Sequence, residues 1–162
     1  MRLAVVSDIH GNLEALEAVL LEIDRLSVDG VVALGDIVGY GPDPLACIYR
    51  IREAEASCVL GNHDAALVDA RFSHELNPIA RDTLLRSREM VTDEELAYLR
   101  TFAFRHVEAD GVFTHANPIV PEQWQHLHLF EHIKWCLEEL EWHLAFVGHT
   151  HHAGIFCKTD HQ

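Results

Sequence analysis

The sequence predicts an α/β protein of two sheets flanked by helices, with a parallel βαβαβ unit in its N-terminal half. Three apolar runs, at residues 3–7, 31–34 and 57–60, are continuous rather than alternating, as in strands covered on both faces. Between them, residues 12–26 have apolar side chains at helical spacing, and residues 42–54 form a helix opened by proline. This alternation favours a parallel sheet with right-handed crossovers.

The individual elements follow from local signals. The run at residues 3–7 is expected to be a buried central strand, and Asn12 is a candidate N-cap for the helix after it, although its side chain could also reach a phosphate. Residues 64–100 have a charged, helical pattern without a chemical motif, and within them Thr92 and Glu95 form a capping box before residues 93–102. A second sheet and its helix are predicted from segments 102–107, 112–114, 127–140 and 144–147.

Composition limits the kinds of protein this chain can be. Its 162 residues contain 49% hydrophobic residues and neither a repeat nor a linker, so we expect one globular domain over residues 1–162. The formal net charge of -14 includes only 12 basic residues, which argues against stable nucleic-acid binding. No segment is long and apolar enough to span a bilayer, so we expect a cytoplasmic protein without membrane association.

The four cysteines argue against a disulfide framework or a zinc knuckle. Cys47, Cys58, Cys136 and Cys157 are widely spaced and form no Cys-x-x-Cys pair. We interpret them as reduced thiols that serve as packing residues.

Five short polar motifs each follow an apolar strand, and together they carry the chemistry of the chain. They are Asp8 and His10 in SDIHGN, Asp36 in GDIVGYG, Asn62 to Asp64 in GNHD, His115 in THAN, and His149 with His151 in GHTH. Because ligands in parallel α/β sheets gather at the carboxyl ends of strands, these side chains are expected to converge on one rim. Glycines beside them allow the tight turns that such a rim requires.

The residue types in these motifs are those of a metal site. Carboxylates, imidazoles and one carboxamide suit Mn as the first choice, with Fe, Zn, Co or Ni as alternatives, and thiolates of a structural zinc site are missing from the motifs. Seven candidate ligands exceed what one ion takes while it keeps open positions for water and substrate. A pair of ions roughly 3.5 to 4 Å apart, which activates water for in-line attack on phosphorus, fits better.

In this order the five motifs resemble the calcineurin-like metallophosphoesterase superfamily, in particular its small bacterial and archaeal phosphodiesterase branch. The resemblance runs from Leu3 to about Phe156. It implies that a hydroxide bridging two metals attacks a phosphodiester or a nucleotide-type phosphate ester, while His63 stabilises charge or protonates the leaving oxygen. The first metal would be bound by Asp8, His10 and His151, the second by Asn62, His115 and His149, and Asp36 would bridge them.

Several alternatives stay open. Asp64 could orient His63 or cap the next helix, and Tyr40 stands where protein phosphatases of the superfamily carry an arginine, which makes a protein phosphatase less favoured. A metal-binding scaffold of the same fold is a further alternative, although the presence of His63 favours an enzyme. Because the chain ends at Gln162, soon after GHTH, a truncated form or a sheet edge covered by a partner or a second copy is expected.

The remaining histidines lack a strand-end context, and we interpret them as surface or hydrogen-bonded polar residues. They are His74, His106, His126, His128, His132, His143, His152 and His161. Of these, His126, His128 and His132 could form a peripheral metal or phosphate site, but a solvated helix face is favoured. His152 could line the pocket. Trp124 is expected to be a core or interface anchor rather than a platform for a base.

Overall fold

Two three-stranded sheets form the framework of the protein, which a computed structural model describes over residues 1–159. The strands are β1 Leu3–Val6, β2 Gly30–Ala33, β3 Ser57–Cys58, β4 Arg105–Glu108, β5 Gly111–Thr114 and β6 Leu144–Val147. The α-helices are α1 Leu13–Leu26, α2 Pro44–Glu53, α3 Asn62–Val68, α4 Pro78–Met90, α5 Asp93–Leu99 and α6 Phe130–Glu139. Short 3-10 helices cover Ala70–Glu75 and Pro121–Gln123.

The first sheet is parallel, as predicted, but its strand order differs from the expectation. Its order is β1-β2-β3, with Val32 of β2 aligned with Val5 on one side and with Ser57 on the other. The prediction that the first strand is central and buried is therefore wrong: β1 lies at the edge and its four residues are only partly buried. A continuous apolar run indicates that both faces of a strand are covered. The position of the strand in the sheet depends on which strands pair with it, and composition does not show this.

The predicted second sheet is present and packs against the first. In it β4 is antiparallel to β5, and β5 is parallel to β6. Between the two sheets Val32, Leu34 and Val59 form a buried cluster with Phe113, whose ring stacks on that of Phe146 at 4.8 Å between centroids. The packing of two sheets through apolar side chains makes the predicted sandwich.

The helices build a larger core on the other face of the first sheet. Residues of β2 alternate between the two cores: Val32 contacts the second sheet, whereas Ala33 belongs to the helix-side cluster with Ile37, Ile48 and Leu99. Sheet and helices thus fix β2 from both sides, and the loop that leaves it carries Asp36.

Most predicted elements are confirmed with shifted boundaries. Asn12 caps α1, since its Oδ1 accepts the Ala15 N–H at 3.0 Å, and α2 begins at Pro44. The strand expected over 57–60 is paired only at Ser57–Cys58, after which Val59 forms a single parallel bridge with Ala103. The strand expected over 102–107 begins at residue 105, and the helix expected over 127–140 covers 130–139.

The cysteines and the outer edge of the second sheet differ in exposure. All four cysteines are free thiols, as expected, and Cys47 and Cys136 are buried. Cys157 is exposed, so its interpretation as a packing residue is wrong. At the edge strand β6, Leu144 and Val147 are exposed. Of the helices within residues 1–159, none combines the length and apolar composition needed to cross a bilayer.

The capping box of α5 should contribute measurably to stability. Oε2 of Glu95 accepts the Thr92 N–H at 2.9 Å and the Thr92 hydroxyl at 2.6 Å, and the Thr92 hydroxyl oxygen accepts the Glu94 N–H at 3.2 Å. Thr92→Ala is expected to lower the free energy of unfolding by about 1 kcal/mol, because the Glu94 N–H loses its acceptor and Glu95 loses the hydroxyl donor. Urea denaturation measures this change. The control is Thr101→Ala, at an exposed residue just after α5, which should change stability less; equal effects would contradict the capping role.

Candidate metal centre

The loops after the strands of both sheets meet at one place. Asp8 lies two residues after β1, Asp36 three residues after β2, and His115 directly after β5. The structure brings the predicted side chains of all five motifs to this place, namely Asp8, His10, Asp36, Asn62, His63, Asp64, His115, His149 and His151. Three groups of them have ligand atoms within 4.8 Å of one another: Asp8 with His10 and His151, His10 with Asp36 and His63, and Asp36 with His115 and His149.

The backbone is left-handed at five of the seven predicted metal ligands. These are Asp8, His10, Asp36, His149 and His151, with φ between 50° and 66°. Asp and His enter this region more readily than most residues, yet each such residue costs about 1–3 kcal/mol and persists only where the surroundings fix it. The concentration of this conformation at one rim indicates that the loops are shaped to direct side chains to a common point.

A close approach of two backbones explains two of the glycines. Gly35, with φ of +90°, lies against the backbone of Gly61, and a Cβ at Gly35 would collide with the Gly61 amide. A Cβ at Gly61 would collide with the carboxylate and amide of Asp36. Any larger residue would push these loops apart, so the glycines bring Asp36 and the Asn62 loop into contact.

Asp36 is the centre of the cluster. Its Oδ2 lies 3.3 Å from Nε2 of His115 and 3.8 Å from Nε2 of His10, and its Oδ1 accepts the His63 N–H at 2.9 Å. Burial alone would raise the pKa of the Asp36 carboxyl, which is 2% exposed, but His115, then His63 and His10, lower the pKa well below its usual range. Asp36 is therefore a buried carboxylate that lies between two sets of potential metal ligands.

The first set consists of Asp8, His10 and His151. Nε2 of His151 lies 3.1 Å from Oδ1 of Asp8 and 3.2 Å from Nε2 of His10. Nδ1 of His10 donates to the Val38 carbonyl at 3.1 Å, so in the neutral ring the lone pair is on Nε2 and faces the site. The Ser7 hydroxyl donates to Oδ2 of Asp8 at 2.6 Å and fixes that carboxylate.

The second set consists of Asn62, His115 and His149. Nε2 of His115 lies 3.0 Å from Oδ1 of Asn62 and 3.2 Å from Nδ1 of His149, while Nδ1 of His115 donates to the Leu34 carbonyl at 2.7 Å. Burial would lower the pKa of His115, but Asp36 raises it to about 9. Burial, with the nearby His115 as the next cause, lowers the pKa of His149 to about 4.

The donor atoms of both sets fit divalent metal ions. Between His10 and His151, between His115 and His149, and between His115 and Asn62, atoms with lone pairs face each other at 3.0 to 3.2 Å. Such contacts repel unless a proton or a cation lies between them. Imidazole nitrogens whose other nitrogen donates to a backbone carbonyl are the usual metal ligands. The two sets, with Oδ2 of Asp36 facing both, supply enough ligands for two ions.

His63 is buried beside the two sets. It is 4% exposed, its Nε2 lies 3.9 Å from Oδ2 of Asp36, and its Nδ1 is buried without a hydrogen-bond partner among residues 1–159. Burial lowers the pKa of His63. The ring packs between Tyr40 and His10, with 4.8 Å between centroids in each case. Nε2 is the ring nitrogen that faces the centre and is suited to proton transfer, whereas Nδ1 lies against Gly39.

Asp64 accepts hydrogen bonds from the backbone of two loops. Its Oδ1 accepts the N–H groups of Ile37 at 3.0 Å and Val38 at 3.2 Å, and its Oδ2 accepts the Gly61 N–H at 3.2 Å. The hydrogen bond to Gly61 caps α3, which is one of the two roles that the sequence suggested for Asp64. The other two hydrogen bonds connect the Asp36 loop to α3. Burial, followed by the charge of Asp36, raises the pKa of Asp64 to about 7.

Residues that the sequence did not single out also line the site. A cleft of about 520 Å³ beside the two sets includes Leu76 and Asn77, from the segment that showed no motif, together with His126. His126 lies before α6 rather than on a helix face, and its ring stacks on His149 at 3.9 Å between centroids. His126 is exposed, as a solvated residue would be, but its expected place on a helix face is wrong. The only local signal was its closeness to the loop that carries His115.

Trp124 and the remaining histidines lie outside the two ligand sets. Trp124 is buried in the core, as expected, with its ring 6.0 Å from that of His115. His152 does not line either cleft among the described residues, and its Nδ1 donates to the Thr150 carbonyl at 2.7 Å. His74, His106, His128, His132 and His143 are likewise not among the residues that line the clefts of the described chain, and His161 lies outside the described residues.

Comparison with known proteins identifies the family. The profile described as calcineurin-like phosphoesterase matches residues 1–153. An uncharacterized protein of Methanocaldococcus jannaschii is 35% identical over 92% of this chain and 62% of its own length. A symmetrical bis(5'-nucleosyl)-tetraphosphatase of Chromohalobacter salexigens is 36% identical over 76% of this chain and 45% of its own. The crystal structure of a metallophosphoesterase from Sphaerobacter thermophilus superposes with a TM-score of 0.79 at 38% identity, over 93% of this chain and 61% of that one.

The chain therefore belongs to the calcineurin-like phosphoesterase family, as its five motifs indicated. It spans less than two thirds of the length of each of these three relatives.

The position of Asp64 gives a prediction about stability. Asp64→Asn keeps the shape of the side chain but turns an amide NH2 toward a backbone donor, so a buried N–H loses its acceptor. The free energy of unfolding should fall by about 1–3 kcal/mol, as measured by urea denaturation. Asp82→Asn, at an exposed residue paired with Arg86, is the control and should have almost no effect. Unchanged stability in Asp64→Asn, with activity lost, would instead assign Asp64 to the orientation of His63.

Proposed function

We propose that this protein is a metal-dependent hydrolase that cleaves phosphate esters, with phosphodiesters as its preferred class. The observation that carries the proposal is the pair of ligand sets on either side of the buried Asp36 carboxylate. Their potential ligand atoms converge to within 3.0–3.2 Å of one another, which is the arrangement that a pair of divalent cations requires. The family supports the same class of reaction.

In this proposal the residues divide between two ions, Mn being the first choice. Asp8, His10 and His151 would hold one ion, Asn62, His115 and His149 would hold the other, and Asp36 would be a ligand to both. When bound, such ions activate water for in-line attack and offset charge on the attacking and leaving oxygens. The backbone carbonyls of Leu34 and Val38 fix the tautomers of His115 and His10, so that Nε2 is the ligand atom in each.

His63 has a separate role in the proposal. It is attached to the centre through its backbone N–H, which donates to Asp36, while Nε2 of its ring faces the same carboxylate at 3.9 Å. A ring in this position can deliver a proton to the leaving oxygen or stabilise its negative charge. The retained histidine favours an enzyme over a metal-binding scaffold.

The charge of the clefts favours a diester over a monoester. Two clefts flank the centre, of about 520 and 790 Å³, and within the described part of the chain neither is lined by a lysine or an arginine. A guanidinium or ammonium partner adds more affinity for a monoester dianion than for a diester, which carries a single charge. The same observation disfavours a protein phosphatase, and no stable nucleic-acid binding is proposed.

A dinucleoside polyphosphate is the second candidate substrate, because several similar proteins, including that of Chromohalobacter salexigens, are symmetrical bis(5'-nucleosyl)-tetraphosphatases. The proposed setting for either substrate is the cytoplasm, where the four free cysteines would stay reduced.

Hydrolysis assays on chelator-treated protein test the proposal. Bis-p-nitrophenyl phosphate, p-nitrophenyl phosphate and diadenosine tetraphosphate are supplied with and without Mn. Diester hydrolysis should depend on Mn and fall by about 100-fold or more in His63→Ala, because the imidazole no longer stabilises the negative charge that develops on the phosphoryl and leaving oxygens. His74→Ala, at an exposed histidine away from both clefts, is the matched control and should keep full activity. Folded protein that binds Mn but cleaves none of the three would favour the scaffold alternative.

The stoichiometry of Mn binding tests the role of Asp36 independently of activity. Isothermal titration of the chelator-treated chain should give two Mn ions per chain. Asp36→Asn should weaken the binding of both ions, because the same carboxylate oxygen faces both ligand sets. Binding of one ion only, or weakening of only one of two in this variant, would contradict a shared ligand.

A further inference from the structure

An exposed aromatic side chain stands against the candidate centre. Tyr40 is 41% exposed, although its ring lies 4.8 Å from the rings of both His10 and His63. Its backbone is left-handed, with φ of 55°, between Gly39 and Gly41. A tyrosine in this strained conformation persists only where its surroundings hold it, which points to a use for the side chain at this position.

The start of α4 provides that support. Nδ2 of Asn77 donates to the Tyr40 hydroxyl oxygen at 3.0 Å, and the Tyr40 N–H donates to Oγ1 of Thr83 at 3.2 Å. Because the phenol oxygen accepts a hydrogen bond from Asn77, its own proton points elsewhere. Within residues 1–159 that proton has no acceptor. The hydroxyl is therefore a fixed donor without a partner in the described chain.

Tyr40 also occupies the boundary between the two clefts. It lines both of them, as do His10 and His151. Asn77 lies on the wall of the smaller cleft. A phosphate ester that spans the centre with one substituent in each cleft would thus pass beside the phenol ring.

We propose that Tyr40, held by Asn77, is a substrate-binding residue that selects diesters. Its hydroxyl donates to a non-bridging oxygen of the phosphoryl group, and its ring packs against an aromatic or nucleoside substituent. A neutral donor is sufficient for a monoanion and contributes less to a dianion than a guanidinium would. This inference rests on the proposed function and extends it to the choice between substrates.

Two conservative variants separate the hydroxyl from its support. Tyr40→Phe removes only the hydroxyl. Asn77→Ser removes the amide donor without adding charge, and it keeps a side-chain oxygen for the Ala80 N–H, which Oδ1 of Asn77 binds at 2.9 Å as the cap of α4. Both are made in the full chain, loaded with Mn, and compared on bis-p-nitrophenyl phosphate and p-nitrophenyl phosphate.

Tyr40→Phe should lower kcat/KM for the diester by about 10-fold, mainly through KM, and Asn77→Ser should cause part of the same loss. The double variant should be no worse than Tyr40→Phe. Tyr40→Leu, which also removes the ring, should lower kcat/KM further for the diester than for the monoester, because only the diester has a second substituent beside the ring. Mn affinity should stay at the wild-type value in all of these variants. Equal further losses on both esters in Tyr40→Leu, weakened Mn binding or additive losses in the double variant would overturn the proposal.

Failure of the proposed function can be told apart from failure of this inference. If the wild-type chain cleaves neither ester, binding of dimethyl phosphate to the Mn-loaded protein is measured by isothermal titration. Weaker binding to Tyr40→Phe than to wild type would support a phosphoryl contact from Tyr40 even in a non-catalytic protein. Equal binding to the two proteins would refute it.

Discussion

Burial of the Asp36 carboxylate is the constraint on which the rest of the site depends. A carboxylate that is 2% exposed needs positive charge and hydrogen-bond donors to offset its desolvation. The His63 N–H supplies one donor, and the imidazoles of His115 and His10 supply the charge where protons or metal ions are bound. The surrounding loops can therefore be understood as an arrangement that holds cations around one anion.

The contacts around Asp36 should make the surrounding loops rigid. The Asp36 loop is tied to α3 by Asp64, through three backbone N–H groups, and the close contact of Gly35 with Gly61 leaves no room for the two loops to shift. Ligands that are fixed before binding lose little conformational entropy when an ion arrives. The left-handed backbone at five predicted ligands is a cost of that rigidity, and the packed core beneath β2 offsets it.

The sequence allowed the fold class and the members of the site to be predicted, because both depend on local patterns. Apolar runs identify strands, and a polar motif after each run places Asp8, Asp36 or His115 at a strand end. Lateral strand order could not be derived in this way, which is why β1 was expected at the centre of its sheet. The same limit applies to contacts between distant segments, such as Asn77 with Tyr40.

Asp64 shows the limit most clearly. Its position after His63 suggested two roles from spacing alone, yet two of its three partners come from the Asp36 loop, 26 and 27 positions earlier. The path of both loops decides which backbone N–H groups still need an acceptor. That path cannot be read from the composition of either segment. His126 is a similar case, since its stacking on His149 depends on how the segment before α6 returns to the centre.

The overall charge of the chain gives the metal ions a further role. With a formal net charge of -14, the protein repels anions at long range, and among the described residues no lysine or arginine lines the clefts to counter this. Divalent cations held by the two ligand sets would supply the positive charge that draws a phosphate ester into the site. Since this attraction acts at short range while the repulsion is screened by salt, binding of an anionic ester should depend on occupancy of the centre first and on ionic strength second. The acidic surface and the cation-binding centre therefore act together. The surface disfavours the binding of polyanions in general. The centre binds a phosphate whose charge is low enough for two ions and neutral hydrogen-bond donors to balance.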